Sequence, residues 1–160
     1  MSFETYFRTA DPHIIYDCIT KERINFSKSI LVGDKVWIGQ QSLILKGTTI
    51  GSGAIVGGHS VVSNKTIKSN SLYAGNPAKK IRENVFKALP RSTHNLDEDE
   101  EISTKIYDKG EDYVYENDEN TISLKTLDND LMNLKTVDYK IKYLEFNIVN
   151  NTSKNKFYQD

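Results

Sequence analysis

The amino-acid sequence predicts a mostly β fold, a parallel β-helix built from six-residue repeats and followed by an α or α/β extension. Three observations predict it. Valine or isoleucine recurs at every sixth position, a small or β-branched residue stands four positions after each, and eight of the nine glycines lie between Gly33 and Gly75. A fixed period of this kind is typical of solenoid folds. The apolar column is Val32, Ile38, Ile44, Ile50, Val56 and Val62, and the second column is Val36, Ser42, Thr48, Ala54, Ser60 and Thr66.

The period of six excludes an amphipathic helix for this stretch, because steps of six move around a 3.6-residue helix instead of staying on one face. Each interior glycine would also cost a helix about 1 kcal/mol. A short strand followed by a corner fits each repeat, and three repeats close one triangular coil. Coils then stack at the inter-strand spacing of about 4.8 Å, with the valine and isoleucine column inside. We therefore expect residues 32–67 to form two coils.

Charge and composition divide the chain. Residues 1–82 hold 11 Lys and Arg against 5 Asp and Glu, whereas residues 83–160 hold 10 against 17. We expect a β-helix domain over 1–82, with a loop at 8–29 and coils at 30–75, and an acidic C-terminal extension over 83–160. The basic front half suits an anionic ligand. Its charges are too widely spaced for nucleic acid, and no aromatic residue stands between Trp37 and Tyr73 for a base to stack on.

Several classes of protein are excluded by simple patterns. Apolar runs are far shorter than the ~18 residues of a membrane span, so no transmembrane segment is expected. The first residues lack the basic and apolar regions of a secretory signal. Cys18 is the single cysteine and no zinc-ligand spacing occurs, so neither a disulfide scaffold nor a metal site is expected. These features predict a soluble, cytoplasmic protein.

The repeat and five further segments resemble the hexapeptide-repeat acyltransferases, in particular the branch that O-acetylates sugars and bacterial surface glycans such as sialic acid, capsule or lipooligosaccharide. The resemblance covers about residues 8–86. It implies a left-handed β-helix, acetyl-CoA as co-substrate, a sugar or glycan acceptor and a homotrimer. The segments are DPHIIYD (11–17), TKERIN (20–25), GDKVWIG (33–39), ILKGTTIGSGAIVGG (44–58) and YAGNPAKKIR (73–82).

Three histidines are candidates for the general base that acetyl transfer to an alcohol requires, since histidine titrates near neutral pH. From the residues alone, each could be an ordinary loop histidine. The resemblance implies that His13 is the catalytic one, because the family carries its histidine in a DxHxIYD-like loop at this distance before a Trp-Ile-Gly. We expect His59 to face outward and His94 to be a solvated tail residue. A zinc-dependent hydratase would need three histidines from adjacent coils, and the repeat holds only His59.

The resemblance also implies a groove for acetyl-CoA between adjacent subunits. Trp37 would flank the active site and position the donor. One residue is inserted near the basic position of the groove, so either Asn64 or Lys65 could fill it, and we prefer Lys65 for its charge. The alternative for the basic residues after Pro77 is a solvated turn. The expected donor-binding residues are Trp37, Gln40, Gly58, Ser63, Lys65, Lys79 and Arg82.

Four polar residues surround His13 in the predicted loop. Each is a candidate to orient the imidazole or to bind the sugar, and the sequence does not decide between these roles. They are Asp11, Asp17, Arg23 and Asn25.

The tail carries weaker patterns. We expect a turn at 75–77, a short helix over 78–85, a solvated acidic linker at 97–101, a hairpin over 113–124, and helices over 127–134 and 136–149, the last behind a threonine cap. The extension would pack as an accessory cap or contact the acceptor.

The chain begins about a dozen residues before His13, whereas relatives carry further coils there. We therefore expect either an incomplete cap over 1–9 or a truncated or split product. The function predicted is an acetyl-CoA-dependent O-acetyltransferase acting on a sugar or cell-surface glycan. The alternative is a truncated, non-catalytic β-helix that serves as a scaffold or subunit partner.

Overall fold

The computed structural model of the chain describes residues 2–88, 97–107, 113–152 and 157–160. Strands dominate the first half and helices the second. The strands are β1 (Tyr6–Arg8), β2 (Leu31–Val32), β3 (Trp37–Ile38), β4 (Leu43–Leu45), β5 (Thr49–Ile50), β6 (Ile55–Val56), β7 (Val61–Val62), β8 (Thr66–Ile67), β9 (Ser71–Ala74) and β10 (Lys79–Glu83). The helices are α1 (Glu98–Ser103), α2 (Leu124–Asn133) and α3 (Val137–Leu144), and α3 continues into a π-helical turn, Glu145–Val149.

The strands form three sheets, and each sheet takes every third strand of the repeat. Their orders are β1-β4-β7, β2-β5-β8 and β10-β9-β6-β3. All pairs between successive coils are parallel, and only β9 and β10 pair in the antiparallel sense. The chain therefore passes through the three sheets in rotation. The predicted mostly β fold with parallel sheets is confirmed.

The register between coils changes once along the chain. Leu31 pairs with Thr49, eighteen residues later, but Thr49 pairs with Thr66, only seventeen later. The connection after Val62 is thus one residue short, and Ile67 continues the buried column. Thr66, which the repeat places in the second column with the corner residues, instead lies on β8 with an exposed side chain. A one-residue slip moves side chains to the opposite face, and here it keeps the isoleucine inside.

The core of the coils is the predicted apolar column. Its side chains have no exposed surface from the second position onward: Ile38, Ile44, Ile50, Val56, Val62 and Ile67. Small hydroxyl residues fill the buried corners and bond to backbone, as Ser42 does to the carbonyl of Gly57 at 3.0 Å. Val32, predicted to be inside, is 39% exposed. It lies on β2, the edge strand of its sheet, so within the described residues no coil covers it.

The coils end at a turn and a returning strand. Gly75, with a φ of +100°, begins the predicted turn after β9. The helix predicted over 78–85 is wrong, because β10 occupies this segment and pairs with β9, with Lys79 opposite Ala74. The physical reason is that the edge of β9 presents unpaired backbone groups, and an antiparallel strand satisfies them where a helix would not.

The helices predicted over 127–134 and 136–149 are confirmed as α2 and as α3 with its π-helical turn. Each begins behind a capping hydroxyl. The side chain of Ser123 accepts a hydrogen bond from the Thr126 amide, and that of Thr136 accepts one from the Tyr139 amide. Such caps satisfy amides that have no partner inside the helix.

Two other predictions for the extension are wrong. The acidic run at 97–101 is not a linker, because most of it belongs to α1. Residues 113–123 form no strand and therefore no hairpin. Instead, the buried side chain of Asn70 accepts a hydrogen bond from the Tyr115 amide at 2.7 Å and donates one to the Tyr113 carbonyl at 2.9 Å. One side-chain amide thus binds this segment to the last coil.

The extension packs on the coils along the β2-β5-β8 sheet. Leu124, Leu127 and Phe157 form a second buried apolar cluster, and Leu31 of β2 packs against it. Ser29 donates a hydrogen bond of 2.7 Å to the Asp128 carboxylate of α2. One of the three sheets is therefore partly covered by the chain's own helices. In the part of the chain that is described, no helix has the length and apolar character needed to cross a bilayer.

Candidate functional site

Residues 8–29, which we term the arm, leave the coils between β1 and β2 and fold back on themselves. The amide of Asp17 bonds to the carbonyl of Glu22 at 2.9 Å, and the amide of Ile24 bonds to the carbonyl of Ile15 at 3.0 Å. These pairs make a short antiparallel ladder. His13 lies just before it, with an exposed side chain.

Asn25 connects the two sides of the arm around His13. Its side chain is only 8% exposed. The amide nitrogen donates to the carbonyl oxygen of His13 at 2.7 Å and to the carboxylate of Asp11 at 2.9 Å, and the amide oxygen accepts from the Ile15 amide at 2.9 Å. Because these bonds use both ends of the Asn25 amide, this residue fixes the backbone that carries the imidazole.

Asp11 fastens the arm to the coils. Its carboxylate accepts a hydrogen bond from the Lys46 ammonium at 2.5 Å, in addition to that from Asn25. The Lys46 bond, then the Asn25 bond, lower the pKa of the Asp11 carboxyl below its ordinary value. Lys46 was not among the residues predicted from the sequence, because a single lysine at a coil corner carries no distinguishing pattern.

Asp17 and Arg23 stabilise the tip of the arm. The Asp17 carboxylate accepts hydrogen bonds of 2.8 Å from the amides of Ile19 and Thr20, and the Thr20 bond is the main cause that lowers the pKa of Asp17. The Arg23 guanidinium lies 4.9 Å from the centre of the Phe26 ring. Asp17 and Arg23, which were candidates to orient the imidazole or to bind the sugar, therefore have contacts within the arm itself.

The imidazole of His13 has no hydrogen-bond partner among residues 2–88, 97–107, 113–152 and 157–160. His59 is exposed at a coil corner, in the left-handed region with a φ of +56°. His94 lies outside the described residues. Within those residues, no three histidine, cysteine, aspartate or glutamate side chains are grouped as a metal ion would require.

Two of the predicted donor residues lie on adjacent coils. The carbonyl of Gln40 accepts the amide of His59 at 2.9 Å, and a Cβ added at Gly58 would stand 3.3 Å from that same carbonyl. Gly39 allows the close approach, because a Cβ there would meet the Gly58 nitrogen at 2.4 Å. A side chain at Gly58 would therefore crowd the Gln40 backbone of the adjacent coil. The exposed Gln40 side chain lies beside this close approach.

Two further donor residues share one row of side chains on the outer face of the β10-β9-β6-β3 sheet. The register pairs Trp37 with Ile55, Ile55 with Leu72, and Leu72 with Arg82. Trp37 and Arg82 are thus three strands apart, roughly 14 Å at the ordinary strand spacing. Trp37 is 38% exposed, and its indole nitrogen donates to the Ser2 hydroxyl at 3.1 Å.

The predicted basic residues meet where the coils end. The Lys65 ammonium donates to the carbonyl of Ala78 at 2.7 Å, which brings it beside Lys79, the next residue. The neighbouring Asn64 instead accepts a hydrogen bond from Lys28 at 3.0 Å. Ser63 and Lys79 are exposed. The expected donor residues thus lie in three places. Trp37 and Arg82 share one row of side chains, termed the Trp37 row, Gln40 and Gly58 lie at the Gln40 corner, and Ser63, Lys65 and Lys79 lie at this basic turn.

The repeated parallel coils and the preceding loop that carries a histidine resemble those of hexapeptide-repeat transferases. Residues 29–64 match the family described as bacterial transferase hexapeptide (six repeats). The predicted resemblance to the sugar O-acetyltransferase branch is confirmed by relatives in this branch. A polysialic acid O-acetyltransferase of Neisseria meningitidis is 54% identical over 78 residues, which are 49% of this chain and 36% of the relative.

Two further relatives carry related names. A polysialic acid O-acetyltransferase of Escherichia coli O1:K1 / APEC is 37% identical over 101 residues, 63% of this chain and 33% of the relative. The crystal structure of the polySia specific acetyltransferase NeuO matches with a TM-score of 0.53 and 35% identity, over 62% of this chain and 46% of that one. The chain spans about a third of the length of the curated relatives it matches.

Proposed function

We propose that this chain acts in acetyl-CoA-dependent O-acetylation of a sugar or cell-surface glycan, with sialic acid polymers as the acceptor class and His13 as the general base. The observation that carries the proposal is the arrangement of Asn25, whose amide holds the backbone on both sides of His13. The His13 side chain is exposed on a backbone fixed in this way, so the imidazole can meet a substrate from solvent. The names of the relatives supply the acceptor class.

The proposed reaction is a direct transfer. The acceptor hydroxyl attacks the thioester carbonyl of acetyl-CoA while the imidazole of His13 takes the hydroxyl proton. The carbon–sulfur bond then breaks, an ester forms on the sugar, and the departing CoA sulfur receives the proton from the imidazolium. The residues of the chain align the reactants and move one proton, and no metal is needed for either task.

The proposed donor site extends along the Trp37 row. The distance of roughly 14 Å between Trp37 and Arg82 suits the extended chain of acetyl-CoA, with its thioester near the tryptophan and its phosphates at the basic end. Lys65 and Lys79 would add charge at that end. Gln40, Gly58 and Ser63 would line the part of the groove that the coil backbone forms.

The proposal includes a homotrimer of left-handed coils. Support comes from the arm, where Ile14, Ile19 and Phe26 are 57%, 90% and 59% exposed. Contiguous exposed apolar groups mark interaction surfaces. A neighbouring subunit would cover them and supply contacts for the His13 imidazole.

We also propose the predicted division into a β-helix domain at 1–82, with its loop at 8–29 and coils at 30–75, and an extension at 83–160. A cytoplasmic location agrees with the exposed thiol of Cys18, because thiols persist in reducing compartments.

A second candidate is the non-catalytic scaffold or subunit partner. The observation that favours it is that the imidazole of His13 has no hydrogen-bond partner in the described part of the chain, because a catalytic histidine is usually oriented by a hydrogen bond to its second nitrogen.

Mass spectrometry separates the two candidates. The purified chain is incubated with acetyl-CoA and short sialic acid oligomers, and both acetylated oligomers and released CoA thiol are measured. We expect one acetyl group per thiol released, and loss of both products in His13→Ala. A folded oligomer that yields neither product supports the scaffold.

A further inference from the structure

A wide groove separates the coils from helix α2. Its volume is about 1080 Å³, at or above the upper end of ordinary ligand pockets, ~300–1,000 Å³. One wall is the outer side of the β2-β5-β8 sheet, where Thr49 and Thr66 stand in register. The other wall is the start and middle of α2, including Lys125 and Asp128. This groove lies on a different sheet from the Trp37 row.

Residues with hydroxyl or amide groups outnumber apolar residues in the lining. Six residues of the lining carry a hydroxyl and three carry a side-chain amide, whereas only Leu31 and Met132 are apolar. Groups that both donate and accept suit a ligand with many hydroxyls of its own. The hydroxyl residues are Thr9, Ser27, Ser29, Thr49, Thr66 and Ser123.

The groove carries a positive charge. Lys28, Lys65 and Lys125 line it against a single carboxylate, that of Asp128. Asp128 already accepts a hydrogen bond from Ser29, and the Lys65 ammonium is bound to the Ala78 carbonyl. The Lys28 ammonium donates to the Asn64 side-chain oxygen at 3.0 Å. Lys28 and Lys125 are exposed, unlike the half-buried Lys65, and are therefore the main cations for a ligand.

The groove also touches the arm at both of its ends. Thr9 lies where the arm leaves β1, and Ser27–Ser29 lie where it returns to β2. A ligand chain in the groove would therefore lie against the base of the loop that presents His13.

We propose that this groove binds the acceptor as an anionic, carboxylated saccharide chain, with Lys28 and Lys125 pairing with sugar carboxylates and the hydroxyl residues contacting the sugar ring. This inference rests on the proposed function, and names the acceptor's binding surface. It makes the C-terminal extension part of the acceptor site, because α2 supplies one wall. The groove shares Lys65 with the phosphate end of the proposed donor site, but its strand residues belong to a different sheet and its lining holds many hydroxyls, which favours the acceptor over the donor's phosphates.

Direct binding tests the inference apart from turnover. Binding of a short sialic acid oligomer to the full chain, without acetyl-CoA, is measured by calorimetry for the wild type and for Lys28→Gln/Lys125→Gln. Two exposed charge pairs predict about a tenfold loss of affinity in the double variant and a weaker dependence on salt. Lys135→Gln is the matched control, because this exposed lysine follows α2 and lies outside the groove.

Further measurements separate the remaining outcomes. His13→Ala should bind the oligomer as the wild type does, so binding survives even where transfer is absent. A neutral glucose oligomer of equal length should bind more weakly than the sialic acid oligomer to the wild type. Wild-type affinity for the sialic acid oligomer in the double variant overturns the inference, and so does a loss of acetyl-CoA affinity in its place. Transfer to the oligomer with an unchanged KM in the double variant would overturn the inference and leave the proposed function standing.

Discussion

The side-chain amide of Asn25 donates a hydrogen bond of 2.7 Å to the backbone carbonyl of His13, twelve residues away. The same amide holds Asp11 and Ile15, one on each side of the histidine. The conformation of the arm at His13 is therefore set by a buried polar side chain rather than by apolar packing. Asn25 is best described as a positioning residue, since its amide is fully engaged within the arm.

Replacing Asn25 with alanine should release the backbone around His13. The loss of a buried amide that makes three hydrogen bonds predicts about 1–3 kcal/mol of lost unfolding free energy, measured by urea denaturation. Because misplacement of a catalytic group by about 1 Å costs ~100-fold, kcat should fall by about that factor with little change in KM. Asn25→Asp keeps the acceptor for the Ile15 amide but sets a carboxylate oxygen against the Asp11 carboxylate and the His13 carbonyl, so it should lower kcat at least as much as Asn25→Ala. A kcat equal to that of the wild type in Asn25→Ala would refute the positioning role.

Removing the imidazole of His13 should abolish most turnover. A general base contributes typically 10²–10⁴-fold, so His13→Ala should lose about that much in kcat while its affinity for acetyl-CoA is retained. His59→Asn is the control, because His59 is exposed on a coil and asparagine tolerates its positive φ. Turnover would be followed by thiol release. Equal losses in the two variants would assign the effect to something other than a base at position 13.

The attachment of the arm should depend on pH. The hydrogen bonds from Lys46 and Asn25 hold the pKa of Asp11 below the value of about 3.9 expected in an unfolded chain. The stabilisation is therefore fully present above about pH 4 and is lost as the pH falls through the lower, folded value. The protection of the Ile15 amide against hydrogen exchange, measured relative to its intrinsic rate, should fall over that range.

The pKa of Asp17, in the same arm, is also lowered, so both carboxylates contribute to the pH dependence. The variant Asp11→Asn isolates the contribution of Asp11. The variant should already exchange faster than the wild type at neutral pH. Identical exchange of the Ile15 amide in both proteins at neutral and acidic pH would show that the Lys46 contact does not hold the arm.

The buried column should dominate the stability of the coils. Ile44 has no exposed surface, and Ile44→Ala should cost about 2–5 kcal/mol of unfolding free energy, since it removes a packed side chain and leaves a cavity. Ile81, on β10, is 62% exposed, and the same change there should cost less than about 0.5 kcal/mol. Similar midpoints for the two variants in urea would contradict the arrangement of the column.

A tyrosine hydrogen bond joins helices α2 and α3, and the pKa of this tyrosine should lie above its ordinary value. The Tyr143 hydroxyl donates to the Asp130 carboxylate at 2.6 Å, and this bond, followed by burial, raises the pKa of Tyr143 to about 12. A raised folded pKa means that the stabilisation is present below about pH 10 and is lost as the pH rises towards 12. Tyr143→Phe should remove this pH dependence and cost about 1 kcal/mol.

The difference in ultraviolet absorbance between the wild type and Tyr143→Phe isolates one tyrosine and should report this titration. A midpoint near 10 in that difference would show that the Asp130 bond does not persist in solution.

The repeat made the coils predictable, and local patterns made part of the site predictable. Stacked isoleucine and valine columns need only their spacing along the chain, and the caps Ser123 and Thr136 act within their own helices. Thr66 departs from the second column because the connection after Val62 is shortened, which is detected only through the pairing of β8 with β5. The strand β10 was missed because its partner β9, rather than its own composition, makes it a strand.

The spacing of the repeat determined that this chain winds in repeated strands, and the resemblance of residues 11–17 to a family motif implied that His13 stands in a loop before them. Tertiary structure decided the rest of the site. It joined Asp11 to Lys46 over 35 positions and Ser29 to Asp128 over 99, which brought the arm onto the coils and opened the groove beside α2. Contacts of that range depend on how elements pack, and no local periodicity encodes them.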